Sequence, residues 1–427
     1  MTTLSRAHAT TAYLVLVLLF GGASAAGLSA NLMLQFLGAA LIAWTVADGD
    51  KGPALRTGLG RFLAALAVLA LVQFVPLPPA LWSLLPGRDA VLPALVRSIG
   101  LLARGAPGNP ESGGPLTAVA ALSVVVGGLQ TSTGSAYIYD ITNFGEGTGF
   151  FANSNHQGSF LLCALALWAT WSIGEARAAS GGRGDRLEMA RMLPAGIALL
   201  LAAGVAVSGS LACLALLGPV LGALLLVAKP DLRLPVIAVL GLTVLLIGGF
   251  GAFLLYGPAD NDLLAKGVLP GISRQEFLVT GLKILGDFAP TGSGTGTFME
   301  LYRWYEDPAQ VGTTFVNHAH NDLLELLIET GVFGLAALVL FLVWFVPRAW
   351  TLWSGARRNV VPLGASLVIA TELVHSLADY PLRTGAMSSL VAVACVLMVR
   401  PADPPRARSR RGNRPKPGES SNEMMRI

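Results

Sequence analysis

The sequence predicts an all-α, polytopic membrane protein of about 11–12 transmembrane helices with one large loop on its outer face. Three observations carry that prediction. Of 427 residues, 53% are hydrophobic and only 13% charged, with a mean hydropathy of +0.63, whereas soluble domains hold about 25% charged residues. Apolar runs of roughly 20 residues, long enough to cross a bilayer, recur from end to end. Basic residues gather on alternate connectors, as the positive-inside rule requires of the cytoplasmic side.

In chain order the runs lie near 12–27, 28–47, 62–81, 116–130, 156–172, 192–208, 211–228, 234–256, 323–346, 360–378 and 384–400. Arg177, Arg183, Arg186 and Arg191 follow one run, "KPDLR" (229–233) another, and Arg348, Arg357 and Arg358 a third, which marks these connectors as cytoplasmic. Residues 257–322 then form an outer loop of about 65 residues, with seven acids and four bases from Gly257 to Asn321. Residues 131–155 and 375–385 share that side. The amino-terminal third closes less simply, because eleven spans would place the basic connector 48–61, with Lys51, Arg56 and Arg61, outside. Either residues 91–103 cross or re-enter, or one run is not a span.

The formal charge of +4 belongs to the tail: from Arg400 to Ile427 eight Lys/Arg stand against three acids, so the rest of the chain sums to −1. Behind a span, such a tail reads as a disordered cytoplasmic anchor and not as a nucleic-acid arm. Cys163, Cys213 and Cys395 lie inside apolar runs and offer neither a disulfide framework nor a metal cluster. Arg6, an apolar run and "ASA" at 23–25 resemble a secretory signal, but in a chain with many further spans the first run reads as an uncleaved helix. The expected organisation is amino-terminal helices over 1–114, a membrane domain over 115–400 and a basic tail over 401–427.

The chemistry concentrates at outer mouths of spans. "FVNHAHNDLLELLIETGVFGL" (315–335) opens a helix with Asn317 or Asn321 as cap, and places Asp322, Glu325 and Glu329 on one face by i, i+3, i+7 spacing. Polar groups at the edge of an apolar helix are costly unless they serve a purpose there. A capped helix with interfacial polar residues is the plain reading. The chemical one is that His318 or His320, at a helix amino terminus, takes a proton from a hydroxyl while a phosphate docks alongside. An H-x-H pair can also chelate a metal, but among five histidines no third ligand follows at a recognised spacing, so none is expected.

Arg274 opens an amphipathic stretch of the outer loop, as a solvated surface residue or as a bidentate clamp on phosphate oxygens. "GSGTG" (292–296) resembles a phosphate cradle but lacks the Lys-Ser/Thr that follows one, and reads as a flexible turn. "GTGFFANSNHQG" (147–158) brings Asn153, Asn155 and His156 to another outer mouth, with Ser154 or Asn155 as a simple cap. "HSLADYPLR" (375–383), after Glu372, brings His375, Asp379 and Arg383, where an ion pair is the plain expectation.

Together these residues resemble a known family. His320 and Asn321, nine residues, then Gly331 and Gly334 give H-N-x9-G-x-x-G, similar to the signature of the O-antigen ligase and O-antigen polymerase superfamily. "GFFANSNH" resembles that family's F-x-N-x-N element, and "HSLADYPLR" the motif after the penultimate span of polymerase-like members; the resemblance runs from about 115 to 400. It implies a metal-independent glycosyltransferase of the bacterial inner membrane, with its active site facing the periplasm and no cofactor. The donor it implies is a glycan on undecaprenyl diphosphate, and the acceptor a saccharide or lipid A-core. By the same resemblance His320 matches the essential histidine and Arg274 the loop arginine that engages the diphosphate.

The chain departs from the pattern at "SGSLA" (208–212), where Leu211 stands in the place of an arginine that many members carry; either Arg383, Arg303 or another cation substitutes, or donor binding is weaker. His318, Asn321, Asn153, Asn155, Arg303, His375 and Arg383 are the expected substrate-binding residues, and Tyr302, Trp304 and Tyr305 candidates to stack on sugar rings. A transporter of lipid-linked glycan or small solutes, or a non-catalytic family member, are the alternatives. Transporters show internal repeats and mid-membrane ionisable residues, and the sequence displays neither.

Overall fold

In the computed structural model, residues 6–23, 33–38, 40–41, 113–179, 185–229, 274–308, 316–355 and 360–399 are described. The expected spans at 62–81 and 234–256, most of that at 28–47, the segment 91–103 and the tail at 401–427 lie outside them. In chain order the helices are α1 (Arg6–Phe20), α2 (Gly113–Thr133), α3 (Ser154–Ala179), α4 (Asp185–Val207), α5 (Leu211–Ala228), α6 (Arg274–Phe288), α7 (Phe298–Tyr305), α8 (Asp322–Ser354), α9 (Val360–His375) and α10 (Gly385–Val399). No strand occurs among the described residues, and α2, α3, α5 and α8 are long and apolar enough to cross a membrane. Shorter apolar helices cover Ala9–Phe20, Pro194–Val207, Val360–His375 and Gly385–Met398.

The apolar runs locate these helices, while their polar ends overrun the runs. α4 begins at Asp185, α3 continues to Ala179 and α8 to Ser354. Hydropathy reports the stretch that suits hydrocarbon, and a helix continues beyond it wherever its end turns remain hydrogen-bonded.

α3 is central, packed by α2, α4, α5 and α9. Every residue from Phe160 to Ala166 is buried, the signature of a helix covered all round. Its crossing with α9 is close: a methyl on Gly364 would lie 2.1 Å from Thr170 Oγ1, so a side chain there would force the helices apart. At one end of the bundle guanidinium groups meet helix carboxyl ends. Arg348 Nε donates to the Met398 carbonyl (3.0 Å) and Arg177 to that of Val227, satisfying groups a helix leaves open.

At the other end, α6 and α7 pack on the first turns of α8 through a second, smaller core. Phe277, Ile284 and Phe288 of α6 face Leu324 and Ile328 of α8, with Phe298, Leu301 and Tyr302 of α7 alongside. The joint depends on a break in α8 at Gly331 (φ 56°, ψ −137°). The break frees backbone groups for the 290–297 loop. Ser293 N–H donates to the Ile328 carbonyl (2.9 Å), Gly294 N–H to that of Glu329 (2.8 Å), and Val332 N–H to that of Pro290 (2.8 Å). "GSGTG" is thus an ordered strap on α8, where the sequence reads as a flexible turn. A Cβ at Gly331 would sit 2.1 Å from the Pro290 oxygen. Gly331→Ala should therefore destabilise the detergent-solubilised protein by about 1–3 kcal/mol from backbone strain alone, read as a lowered melting temperature. Gly222→Ala on α5, where a methyl meets nothing within 4 Å, is the control expected to leave it unchanged or raised.

Candidate active site

The amino ends of α3, α5, α8 and α10 and the carboxyl end of α9 meet at the α6–α7 end of the bundle. Asn321 makes the joint. Its Oδ1 accepts Leu324 N–H (2.9 Å), capping α8, and its Nδ2 donates to the Leu377 carbonyl (2.9 Å) in the turn after α9. Asp322 repeats the tie: its N–H donates to the Ser376 carbonyl (2.8 Å) and its Oδ2 accepts Ser376 Oγ–H (2.7 Å).

His320 stands just before this cap with φ at +49°, the left-handed region that a residue with a side chain seldom occupies. Its Nδ1 lies 3.2 Å from the His318 carbonyl, which can only accept, so in the neutral ring the proton sits on Nδ1 and the basic lone pair on Nε2. The imidazole stacks on Phe277 (centroids 4.9 Å apart, 7° between planes) and meets Tyr380 edgewise (5.1 Å, 86°). Phe277 comes from α6, three residues after Arg274, the spacing of neighbours on one helical face. His318 turns elsewhere. Its Nδ1 bonds Glu325 Oε1 at 2.8 Å, and the other oxygen of that carboxylate accepts Ala319 N–H (2.8 Å).

Asp322, Glu325 and Glu329 do share one face, and the group they face is Arg383, in the short 3₁₀ turn Pro381–Arg383. Arg383 Nε lies 3.4 Å from Asp322 Oδ1, and its terminal nitrogen 3.2 Å from Glu325 Oε1 and 2.8 Å from Glu329 Oε2. Burial by itself would lower the Arg383 pKa, but the three carboxylates outweigh it and hold the guanidinium more firmly charged than usual. Glu329 continues outward, its Oε1 accepting N–H groups of Gly296 (2.9 Å) and Phe298 (3.4 Å). The glycine loop and the amino end of α7 do cradle an anion, and the anion is the protein's own carboxylate.

Asn153 and Asn155 enter from the start of α3. Asn153 Oδ1 accepts Asn155 N–H (2.8 Å), and Asn155 Nδ2 donates to Asp379 Oδ2 (2.6 Å). Asp379 is fully buried, with Tyr380 N–H on Oδ1 (2.9 Å) and His156 Nε2 3.7 Å from the same oxygen. Burial would raise its pKa; His156, with support from His320 and His375, outweighs that and keeps the carboxyl well below the ordinary range. The Tyr380 phenol goes the other way, raised by burial and by the Asp379 charge, so it stays protonated. Its oxygen bonds the side chains of Asn153 and Asn317.

The remaining expected residues spread out. His375 Nε2 lies 3.9 Å from Cys213 Sγ, deep beside α5, and Glu372 Oε1 accepts from Ser159 and Cys163 instead of joining an ion pair with Arg383. Arg303 pairs with Glu300 (3.3 Å) on the exposed face of α7. Tyr302 is buried in the second core and Tyr305 donates to Asp287 (2.8 Å), which leaves Trp304 as the exposed aromatic of the three. Leu211 follows the Ser210 cap as the first residue of α5. Among the described residues no three His, Cys, Asp or Glu are grouped to hold a metal ion. Sequence reading missed Phe277 and Tyr380. Tyr380 lies inside "HSLADYPLR", but only the fold shows three histidines around it.

Arg383→Gln would strand three carboxylates that are almost wholly buried. It should cost about 3–5 kcal/mol in thermal unfolding, and adding Glu329→Gln should restore part of the loss. No curated protein matches the chain. A family model described as O-Antigen ligase matches residues 196–339, which take in the second half of α4, all of α5 and the described loop helices and reach past Gly331 and Gly334 in α8. Residues 196–339 are thus similar to the O-antigen ligase family, within a chain whose apolar helices make it a multi-pass membrane protein.

Proposed function

We propose that this protein is a glycan transferase of the bacterial inner membrane, working at the periplasmic face on a saccharide carried by undecaprenyl diphosphate. One observation carries the reading: His320, in a left-handed backbone conformation, has Nδ1 tied to its own loop and its ring set between Phe277 and Tyr380. An imidazole so fixed, with its lone pair on Nε2, is equipped to take one proton from one direction.

The acceptor hydroxyl, from a saccharide or lipid A-core, attacks the anomeric carbon. Its proton passes to His320 Nε2, the anomeric C–O bond to the diphosphate breaks, and undecaprenyl diphosphate leaves with the electron pair. Arg274, one helical turn before Phe277, is the group we assign to the diphosphate charge that develops, a contribution worth about 10²-fold or more for a well-aimed donor. Arg303 on α7 offers a second cation to the donor. Asn153, Asn155, Asn321, His375 and Arg383 act from behind, holding the walls of the site. The scheme needs no metal ion and no nucleotide.

His320→Ala should reduce transfer at least about 10²-fold with normal membrane insertion. His318→Ala should cost less, since that ring serves Glu325, and Arg274→Lys should be impaired because a point charge lacks the bidentate fork. Transfer measured in washed membranes, with and without EDTA, checks all of these. Full activity of His320→Ala would remove the mechanism.

Polymerase and ligase share this donor chemistry. The "HSLADYPLR" segment and Leu211 favour a polymerase. Deletion should then leave single repeat units on the acceptor or lipid carrier, and long lipid-linked chains in the mutant would identify a ligase instead.

A further inference from the structure

A residue with a side chain keeps a left-handed backbone only where its surroundings over-determine it. At His320 the surroundings include two buried aromatic rings from distant parts of the chain. Phe277 arrives on α6 and lies parallel to the imidazole at 4.9 Å, while Tyr380, from the turn between α9 and α10, stands perpendicular at 5.1 Å. A parallel neighbour limits tilting of the ring and a perpendicular one limits its swing, so together they set its angle.

Tyr380 does more than fill space. It belongs to neither apolar core; its ring contacts His318 (4.3 Å) and His156 (4.8 Å) as well as His320, and its phenol oxygen is held by Asn153 and Asn317. Three of the chain's five histidines thus touch one tyrosine ring. Phe277 is the complementary wall, brought to the imidazole by the packing of α6 on α8.

We propose that Phe277 and Tyr380 are the positioning residues of His320: they aim its imidazole at the acceptor hydroxyl, and the packing of α6 on α8 sets Phe277 in place. The proposal rests on His320 being the proton-handling residue. It makes α6 the element that completes the site, because base alignment then depends on that helix.

The test uses full-length protein in nanodiscs, with undecaprenyl-diphosphate-linked glycan extracted from the native host membrane as donor. kcat and KM are measured for Tyr380→Phe, Tyr380→Leu, Phe277→Leu and Phe277→Met, each alone and with His320→Ala. Misaimed by an ångström, a catalytic group loses about 10²-fold, so Tyr380→Leu and Phe277→Leu should lower kcat by up to that factor with KM for the donor little changed. Tyr380→Phe, which keeps the ring and loses only the phenol bonds, should stay within about fivefold of wild type. Where Phe277→Leu fails to fold, Phe277→Met keeps the volume without the flat ring and should show the same fall in kcat. In the His320→Ala background none of these changes should lower the residual rate further, since nothing is left to aim.

Equal losses in both backgrounds, a raised KM at unchanged kcat, or wild-type kcat in the leucine and methionine variants would overturn the proposal. Wild-type transfer by His320→Ala alone would instead sink the reading it rests on.

Discussion

Three carboxylates on the first two turns of one helix are the constraint on which the rest of this site depends. Asp322, Glu325 and Glu329 are each nearly excluded from solvent, and like charges so close repel strongly once water is removed. Arg383 answers all three, with His318 on Glu325 and the N–H groups of Gly296 and Phe298 on Glu329. Because the guanidinium must stay there, so must the turn between α9 and α10 that carries it. Because Glu329 must be satisfied on its far side, the 290–297 loop must stay as well. One electrostatic requirement therefore holds α8, the loop before it and the α9–α10 turn in a single arrangement, and His320 lies where they meet.

Parts of this arrangement were legible in the sequence. The i, i+3, i+7 spacing placed the three acids on one face, Asn321 read as a cap, and the apolar runs located the helices, since each of these is a local property of the chain. Their partners were not legible. Arg383 reaches Glu329 across 54 residues, a separation at which spacing says nothing about contact. "GSGTG" looked flexible because glycines allow flexibility, yet here they allow close approach: a methyl on Gly292 would lie 2.6 Å from the Glu329 carbonyl. The same property supports opposite readings, and only the neighbouring backbone decides between them. Tyr380 was invisible for a related reason, as a lone tyrosine in a loop carries no periodic signal.

The carboxylate cluster also bears on the position where Leu211 replaces the arginine of the family pattern. Arg383 is a poor substitute, because drawing it towards a diphosphate would leave three acids without their counter-charge, a cost of several kcal/mol. The other cations proposed for the donor lie on the loop helices, Arg274 opening α6 and Arg303 on the exposed face of α7. Under the proposed function, donor recognition shifts from the membrane bundle to the outer loop, and the bundle's task becomes holding the base.

That division accounts for the backbone at His320. A left-handed conformation costs about 1–3 kcal/mol at a non-glycine residue and relaxes in any loop free to move. Here the loop is not free. Val316 and Ala319 are packed into the second core, Ala319 N–H is held by Glu325, and Asn321 and Asp322 are tied to the α9–α10 turn. Each tie lies within four residues of His320, so the backbone cannot relax without breaking a buried hydrogen bond or opening the core. The cluster that neutralises itself through Arg383 thus also sustains the strain, and the imidazole takes its direction from a backbone that the acids of α8 keep in place.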